Sequence, residues 1–351
     1  MILAPSVLLL SLSLLILFST SVTQAGTDWS FFVRQGIYGA VSLAAFFMLA
    51  FSDYRVLVRL SPFFYVGLLT LLIITFIVGE NVRGSVRWID FGFVTLQASE
   101  LAKPVMILSL SFLLVRYPPL KLRHYLVSLF ILAPPLILIF SQPDLGSSII
   151  IISIWAALVF VAHLPLLYAA ISLLLPLATF PLFWENLKDY QRERLTSFLN
   201  PSADPLGSGY NLVQAIIAVG SGQLLGRGLG RGTQSHLNFL PEQKTDFIFA
   251  TTAEELGFLG VLLILGLFGF LIYRLFLILR ATRDTEGALI VVGTITVFLA
   301  QIFINVGMNL GILPITGITL PLVSFGGSSL VSVFALLGLC ESVRIVSRHN
   351  E

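Results

Sequence analysis

Three charges, Glu242, Lys244 and Asp246, fall within five residues of the stretch FLPEQKTDFIFA (239–250), and a long apolar run begins directly after the last of them. A carboxylate and an ammonium at the threshold of an apolar helix can take a proton and meet an anion. Ionisable groups at membrane depth are costly and point to function by default. A second such pair opens another apolar run: Glu100 and Lys103 in QASELAKP (97–104) are three apart and share a helix face. The pair reads equally well as a self-satisfied anchor at the helix end, with Lys103 snorkelling outward. Arg87 and Trp88 lie just upstream and could anchor the interface. Asp144 follows Pro143 and reads first as a helix N-cap.

Between them lies GSGQLLGRGLGRGT (220–233), which carries no Walker pattern and no GxGxxG. Its glycines could form a backbone nest for an anion, with Arg227 and Arg231 supplying planar donors to phosphate oxygens. The alternative is a flexible connection whose arginines touch lipid headgroups. Glu254 and Glu255 stand two turns into the following run. They lie about 100° apart on a helix, so they do not serve one site equally, and at least one is expected to face a wet cavity or a cation. The segment 311–329, GILPITGITLPLVSFGGSS, has two prolines and four glycines in an apolar setting. It predicts broken or re-entrant backbone, which membranes tolerate only inside protein or around a cavity; its Ser324 joins the supporting residues.

The elements that must position these groups are membrane spans. Hydrophobic residues make up 57% of the 351-residue chain and charged residues only 11%, against about 25% charged in soluble domains. An all-α polytopic membrane protein follows, organised as a single domain over 1–351. Apolar segments at 3–23, 31–52, 62–79, 98–116, 124–142, 145–163, 164–184, 247–280, 286–306 and 325–346 predict about ten transmembrane helices. Gln142-Pro143-Asp144 divides the fifth from the sixth. No lysine or arginine precedes the first segment, which favours a span over a signal peptide. The short connections carrying Arg55, Arg59, Arg116, Lys121, Arg123, Arg274, Arg280, Arg283, Arg344 and Arg348 assign both termini to the cytoplasm.

A large extracellular loop, 185–246, then joins helices 7 and 8, and 210–219 within it predicts an amphipathic helix on the membrane. The net charge of +2 gives no sign of nucleic-acid binding. Cys340 is the sole cysteine, so one chain holds neither a disulfide nor a thiolate metal site. No internal repeat is present, which disfavours transporter folds built from paired halves.

RWI (87–89), QASELAK, QPDLGS (142–147), the glycine-rich run, FLPEQKTDFIFA, AEELG (253–257) and the 311–329 segment together resemble the SEDS family, the shape, elongation, division and sporulation proteins of bacteria. The similarity runs from the third span onward and is greater to the elongation branch. Ala98 departs from the proline that many members have there. The resemblance implies a ten-helix peptidoglycan glycosyltransferase of the bacterial cytoplasmic membrane. It would polymerise lipid II, the undecaprenyl-pyrophosphoryl disaccharide-pentapeptide, beside a class B penicillin-binding protein. It places the family's essential aspartate at Asp246 and its conserved glutamate and lysine at Glu100 and Lys103.

That chemistry asks for these residue types. The donor already carries a good leaving group, so one base for the acceptor hydroxyl suffices, while cations such as Lys244 meet the pyrophosphate. No cofactor is expected, except that Asp246 could instead hold a divalent cation. A lipid II flippase or a non-catalytic scaffold of the wall machinery are the rival classes. The prenyl tail predicts an apolar groove open sideways to lipid, with a polar upper end built from the 185–246 loop, the start of the fourth span and the 311–329 segment.

Overall fold

The computed structural model describes residues 2–349 except 24–25, 83–84, 91, 93–94, 175–191, 193–195, 201–207 and 238. The described helices are α1 (Leu3–Ser19), α2 (Ser30–Ala50), α3 (Tyr54–Val78), α4 (Ala98–Arg116), α5 (Leu122–Ser141), α6 (Leu145–Val161), α7 (Ser208–Ser221), α8 (Thr233–His236), α9 (Ile248–Ala281), α10 (Thr285–Asn309) and α11 (Gly327–His349). Seven of them, α2 to α5 and α9 to α11, are long and apolar enough to cross a membrane; α1 and α6 are shorter apolar helices. The expected seventh span, 164–184, is helical over 166–174, and its remainder lies outside the described residues. So do Glu185, Lys188, Asp189, Glu193, Arg194 and Asp204 of the large loop.

Two features depart from an all-α, plainly spanning reading. Short antiparallel strands decorate one end: β1 (Val22–Thr23) with β2 (Gly26–Thr27), and β3 (Glu80–Val82), β4 (Ser85–Asp90) and β5 (Thr95–Gln97) in order. Arg87 lies on β4, not on a helix. The third span also begins at Tyr54 rather than 62, because the Asp53 carboxylate accepts the Arg55 amide and starts the helix ahead of its two arginines and Pro62. The break between α5 and α6 falls where Gln142-Pro143-Asp144 requires it.

Packing rests on small residues that let helices approach. Gly338 sits so close to α2 that a Cβ would lie 2.6 Å from the Phe46 carbonyl oxygen, and a Cβ on Gly293 would lie 2.8 Å from Ile107 of α4. α4 is the central helix, buried along most of its length, from Ala98 to Leu114. The contacts of α2 give the directions of its neighbours. Leu10 and Ser13 of α1 meet Gly39 and Gln35 of α2, an antiparallel pairing, whereas Gly327 and Gly338 of α11 meet Tyr38 and Phe46, a parallel one.

Both chain ends therefore lie at one end of the bundle. There the Tyr54 amide donates to Ser342 Oγ at 3.1 Å and the Tyr54 hydroxyl to Asp284 at 2.7 Å, while Arg116 pairs with Glu286 at 3.3 Å. The starts of α2, α4, α6, α9 and α11 meet at the opposite end.

Candidate active site

The opposite end holds the residues singled out by type and spacing. Residues 241–247 make a tight turn into α9, with the Thr245 and Phe247 amides both donating to the Glu242 carbonyl, at 3.1 and 3.2 Å. Three consecutive carbonyls of this turn are then fixed from outside. Phe325 N–H donates to Lys244 O at 2.9 Å, Ser324 Oγ–H to Thr245 O at 2.7 Å, and the side-chain amides of Asn305 and Asn309 to Asp246 O at 3.0 and 3.1 Å. The Asp246 backbone is held from α10, and the residue is half-buried. Its Oδ2 faces Gly317, where a Cβ would lie 3.6 Å away; Gly317 has φ +75°, a conformation suited to glycine.

The 311–329 segment is irregular up to α11, as its prolines and glycines require, and it is tied down at several polar groups. Asn305 Nδ2 donates to Ile318 O at 2.7 Å, Leu320 N to Ser324 Oγ at 2.8 Å, and Gln35 Nε2 to Ser324 O at 3.1 Å. Ile318 and the Thr316 carbonyl lie on Gly146, where a Cβ would come within 2.6 Å of Ile318. This contact brings the Asp246 turn, through Gly317, over the first turn of α6.

Asp144 caps α6 by accepting Ser147 N–H at 3.0 Å, and it does more than cap. Its Oδ2 accepts from Ser99 Oγ at 2.8 Å and Gln97 Nε2 at 3.1 Å, and Arg87 Nη1 stands 4.0 Å from Oδ1. Arg87 is no interfacial anchor: its guanidinium donates to the Gln142 and Pro143 carbonyls. One turn along α4, Lys103 Nζ donates to both Glu100 oxygens at 2.7 Å, and both side chains are buried. Buried pairs persist only with good geometry, and removing one partner costs about 3–5 kcal/mol. Ser332 of α11 donates to Glu100 O at 2.8 Å, and Ser328 receives Gln97 N–H at 3.0 Å and donates to Thr95 O at 3.1 Å. The α4, α6 and α11 entrances thus form one polar floor.

Lys244 places its ammonium 4.1 Å from the Phe31 ring centroid, a cation–π contact. Burial pushes its pKa below the usual lysine value, and the Asp28 charge only partly opposes this. Asp28 itself is held below the ordinary carboxylate range by the Ser30 amide, which donates to it at 2.9 Å.

The glycine-rich run is not a loose connection. Several of its backbone donors are already used: Arg227 N–H and Gly228 N–H go to the Glu254 and Glu255 carbonyls, and Gly230 N–H to Ser19 Oγ. The anions it holds are the protein's own carboxylates. Glu254 accepts Gln234 N–H at 2.8 Å and Ser235 N–H at 3.0 Å, while Glu255 accepts from Ser19 and meets His236 Nε2, both at 2.8 Å. Adjacent on a helix, the two glutamates nonetheless serve one segment, because that segment wraps the helix. The Arg227 and Arg231 side chains remain exposed, with Arg227 Nη1 donating to Thr233 at 3.0 Å. α7 forms where expected, but Leu212, Ala215 and Ala218 are buried, the latter two with Phe247 and Ala250, so its inner face covers protein.

Asn305, Asn309, Gln35, Gln97 and Ser99 are the site residues that charge-led reasoning missed. Their signal was present as lone amides and, at Ser99, a hydroxyl, polar groups that must find partners when buried. Among the described residues, no three His, Cys, Asp or Glu side chains converge to hold a metal.

A cell cycle protein family covering FtsW, RodA and SpoVE matches residues 1–349. The chain is 37% identical over 343 residues to peptidoglycan glycosyltransferase MrdB of Escherichia coli, covering 97% of this chain and 92% of that protein. It is 38% identical over 343 residues to the probable peptidoglycan glycosyltransferase FtsW of Coxiella burnetii, covering 94% and 92%. A chain solved for the structural coordination of polymerization and crosslinking by a peptidoglycan synthase complex superposes with TM-score 0.83 at 32% identity, over 99% of this chain and 97% of that one. The rod shape determining protein RodA of Thermus thermophilus superposes with TM-score 0.74 at 28% identity, over 98% and 95%. With the fold, the fixed aspartate turn and these likenesses in agreement, the chain belongs to the SEDS family, the FtsW, RodA and SpoVE group of cell cycle proteins.

Proposed function

We propose that Asp246 is the general base with which this chain, a peptidoglycan glycosyltransferase like its relatives, polymerises lipid II. The Asp246 carboxylate takes the proton of the acceptor's 4-hydroxyl, and that oxygen attacks the donor's anomeric carbon opposite the lipid pyrophosphate. The carbon–oxygen bond to pyrophosphate breaks, the electron pair leaves with the phosphate, and the α-linked donor becomes a β-1,4 linkage. A base must sit within hydrogen-bonding reach of its proton, and the observation that carries this reading is the anchoring of the Lys244, Thr245 and Asp246 carbonyls by two separate elements, the 311–329 segment and α10. Positioning of that kind can be worth several powers of ten in rate.

Cations near the floor serve the departing charge: Lys244, Lys103 and Arg87 in the bundle, and Arg227 and Arg231 from the exposed loop. Glu100 fixes Lys103, and Asp144 and Ser324 fix the walls. A divalent cation at Asp246 would find few further protein carboxylates, so its other ligands would be substrate phosphates and water.

An apolar cavity of about 480 Å³ between α3 and α5 supports a seat for the prenyl tail. Leu69, Ile73, Phe130 and Ile137 line it. It lies below Gln142, whose Nε2 donates to Leu72 O at 2.8 Å, and below Arg87. The α5–α6 turn with Arg87 supplies a polar upper end to it.

The basic short connections gather at the end that carries both termini, which supports a cytoplasmic placement of the termini and a reaction at the outer face. A flippase would need access from both faces. The relative solved in a complex that coordinates polymerization and crosslinking supports a class B penicillin-binding protein as partner, and the rod shape determining relative supports a role in cell elongation and shape. The test is purified protein with lipid II in detergent: glycan ladders on a gel are expected from the wild-type chain, and their absence would contradict the reading.

A further inference from the structure

α9 is broken at Gly257, which has φ 67° and ψ −165° inside the helix. In an unbroken helix the amides of Phe258 and Leu259 would meet the carbonyls of Glu254 and Glu255. Here Phe258 N–H donates to Gln223 O at 2.8 Å and Leu259 N–H to Leu224 O at 3.2 Å. The loop returns Arg227 N–H to Glu254 O at 2.9 Å and Gly228 N–H to Glu255 O at 3.0 Å. Two helical bonds are replaced by four bonds to an inserted segment. The glycines are what allow it: a Cβ would lie 1.8 Å from Ala253 O at Gly222, 2.1 Å from Glu255 O at Gly226 and 2.2 Å from Gly226 N at Gly257. The far end of the segment is clamped by the same two glutamates, whose carboxylates take Thr233, Gln234 and Ser235 on one side and Ser19, Gly230 and His236 on the other.

We infer that residues 222–236 are a splint set into the break of α9, and that Glu254 and Glu255 are positioning residues that lock it and so fix where Asp246 stands. The stub of α9 before the break, 248–256, follows Asp246 after a single intervening residue. Glycine at 257 leaves that stub free to pivot, and a helix with an open break also leaves buried backbone groups unpaired. The splint answers both. Each glutamate bonds the splint by backbone carbonyl and by side chain, so the two residues reach it at two points apiece. The inference rests on the assignment of Asp246 as base, because the splint's effect on rate is exerted through it.

The test uses the purified full chain and lipid II. In Glu254→Gln an amide nitrogen replaces one acceptor, so the Gln234 or Ser235 amide loses its partner. We expect kcat to fall ten- to a hundredfold, as for a reacting group displaced by about 1 Å, with KM within about twofold, the signature of a lost transition-state arrangement. A second change restores the lock: Gln223→Cys with Phe258→Cys spans the Phe258–Gln223 bond, and its disulfide should return the rate to the Glu254→Gln background, reversibly with reductant. Wild-type kcat in Glu254→Gln, or a fully formed disulfide that returns no rate, would overturn the inference.

Amide exchange in the unaltered protein reads the splint without any variant that could fail to fold. Phe258 and Leu259 should exchange as slowly as their helical neighbours, and fast exchange would remove the splint. Retained activity in Asp246→Ala would sink the base assignment alone, since exchange would still report the splint.

Discussion

Asn305→Leu is the sharpest perturbation of the frame around Asp246. Leucine keeps nearly the shape of asparagine and removes its amide. Asn305 Nδ2 donates to Asp246 O at 3.0 Å and to Ile318 O at 2.7 Å, and the residue is fully buried. Asp246 O keeps Asn309 as a partner, so its loss is one hydrogen bond, about 0.5–1.5 kcal/mol net. Without Asn305, the buried Ile318 O loses the donor that ties the broken segment to α10, which costs about 1–3 kcal/mol. The sum, about 1.5–4.5 kcal/mol, should lower the thermal midpoint of the detergent-solubilised protein measurably while leaving it folded. Because the same amide anchors both the aspartate turn and the wall beside it, a shift of about 1 Å there should reduce kcat roughly a hundredfold. Turnover of lipid II and thermal unfolding, followed on the same preparation, measure both. An unchanged midpoint with unchanged kcat would refute the claim that α10 holds Asp246.

Lys103→Met should destabilise by about 3–5 kcal/mol, because it strands the buried Glu100 carboxylate; adding Glu100→Gln should recover a large part of that loss, as a double-mutant cycle in thermal unfolding would show. Asp144→Ala removes the α6 cap, worth about 1 kcal/mol, and takes the acceptor of Ser99, one acceptor of Gln97 and the counter-charge of Arg87, so activity should fall further than stability alone explains. The depressed pKa of Lys244 predicts an alkaline limb in kcat/KM below the usual lysine value of 10.5, displaced upward in Lys244→Arg. In that same window the unfolded chain binds more protons at residue 244 than the folded one, so this group makes stability rise with pH.

The parts that could be read from sequence were those governed by local rules. The Asp144 cap, the α5–α6 break and the irregular 311–329 segment each follow from proline, glycine and capping chemistry within a few residues. The Glu100–Lys103 pair follows from helical spacing. What could not be read was set by distant backbone. Nothing in 248–281 announces that the helix breaks at Gly257, because Gly260, Gly266 and Gly269 follow in the same run without breaking it; the break is stabilised by carbonyls and amides some thirty residues earlier. The short strands were missed for the same reason, since pairing of segments of two to six residues depends on where the flanking helices end and begin, α3 at Val78 and α4 at Ala98 for β3 to β5. The hold of Asn305 and Asn309 on Asp246 depends on α10 packing against the start of α9. The residue types were visible there, but not their partners.

The account's central claim is that Asp246 takes the proton in glycan polymerisation, and Asp246→Asn tests it most directly. Asparagine preserves size and keeps the backbone carbonyl that α10 holds, so the variant should fold and bind lipid II as the parent does. It cannot accept the proton. With purified protein and lipid II at saturating concentration, the account predicts no glycan chains above background; chains formed at the parental rate would contradict it.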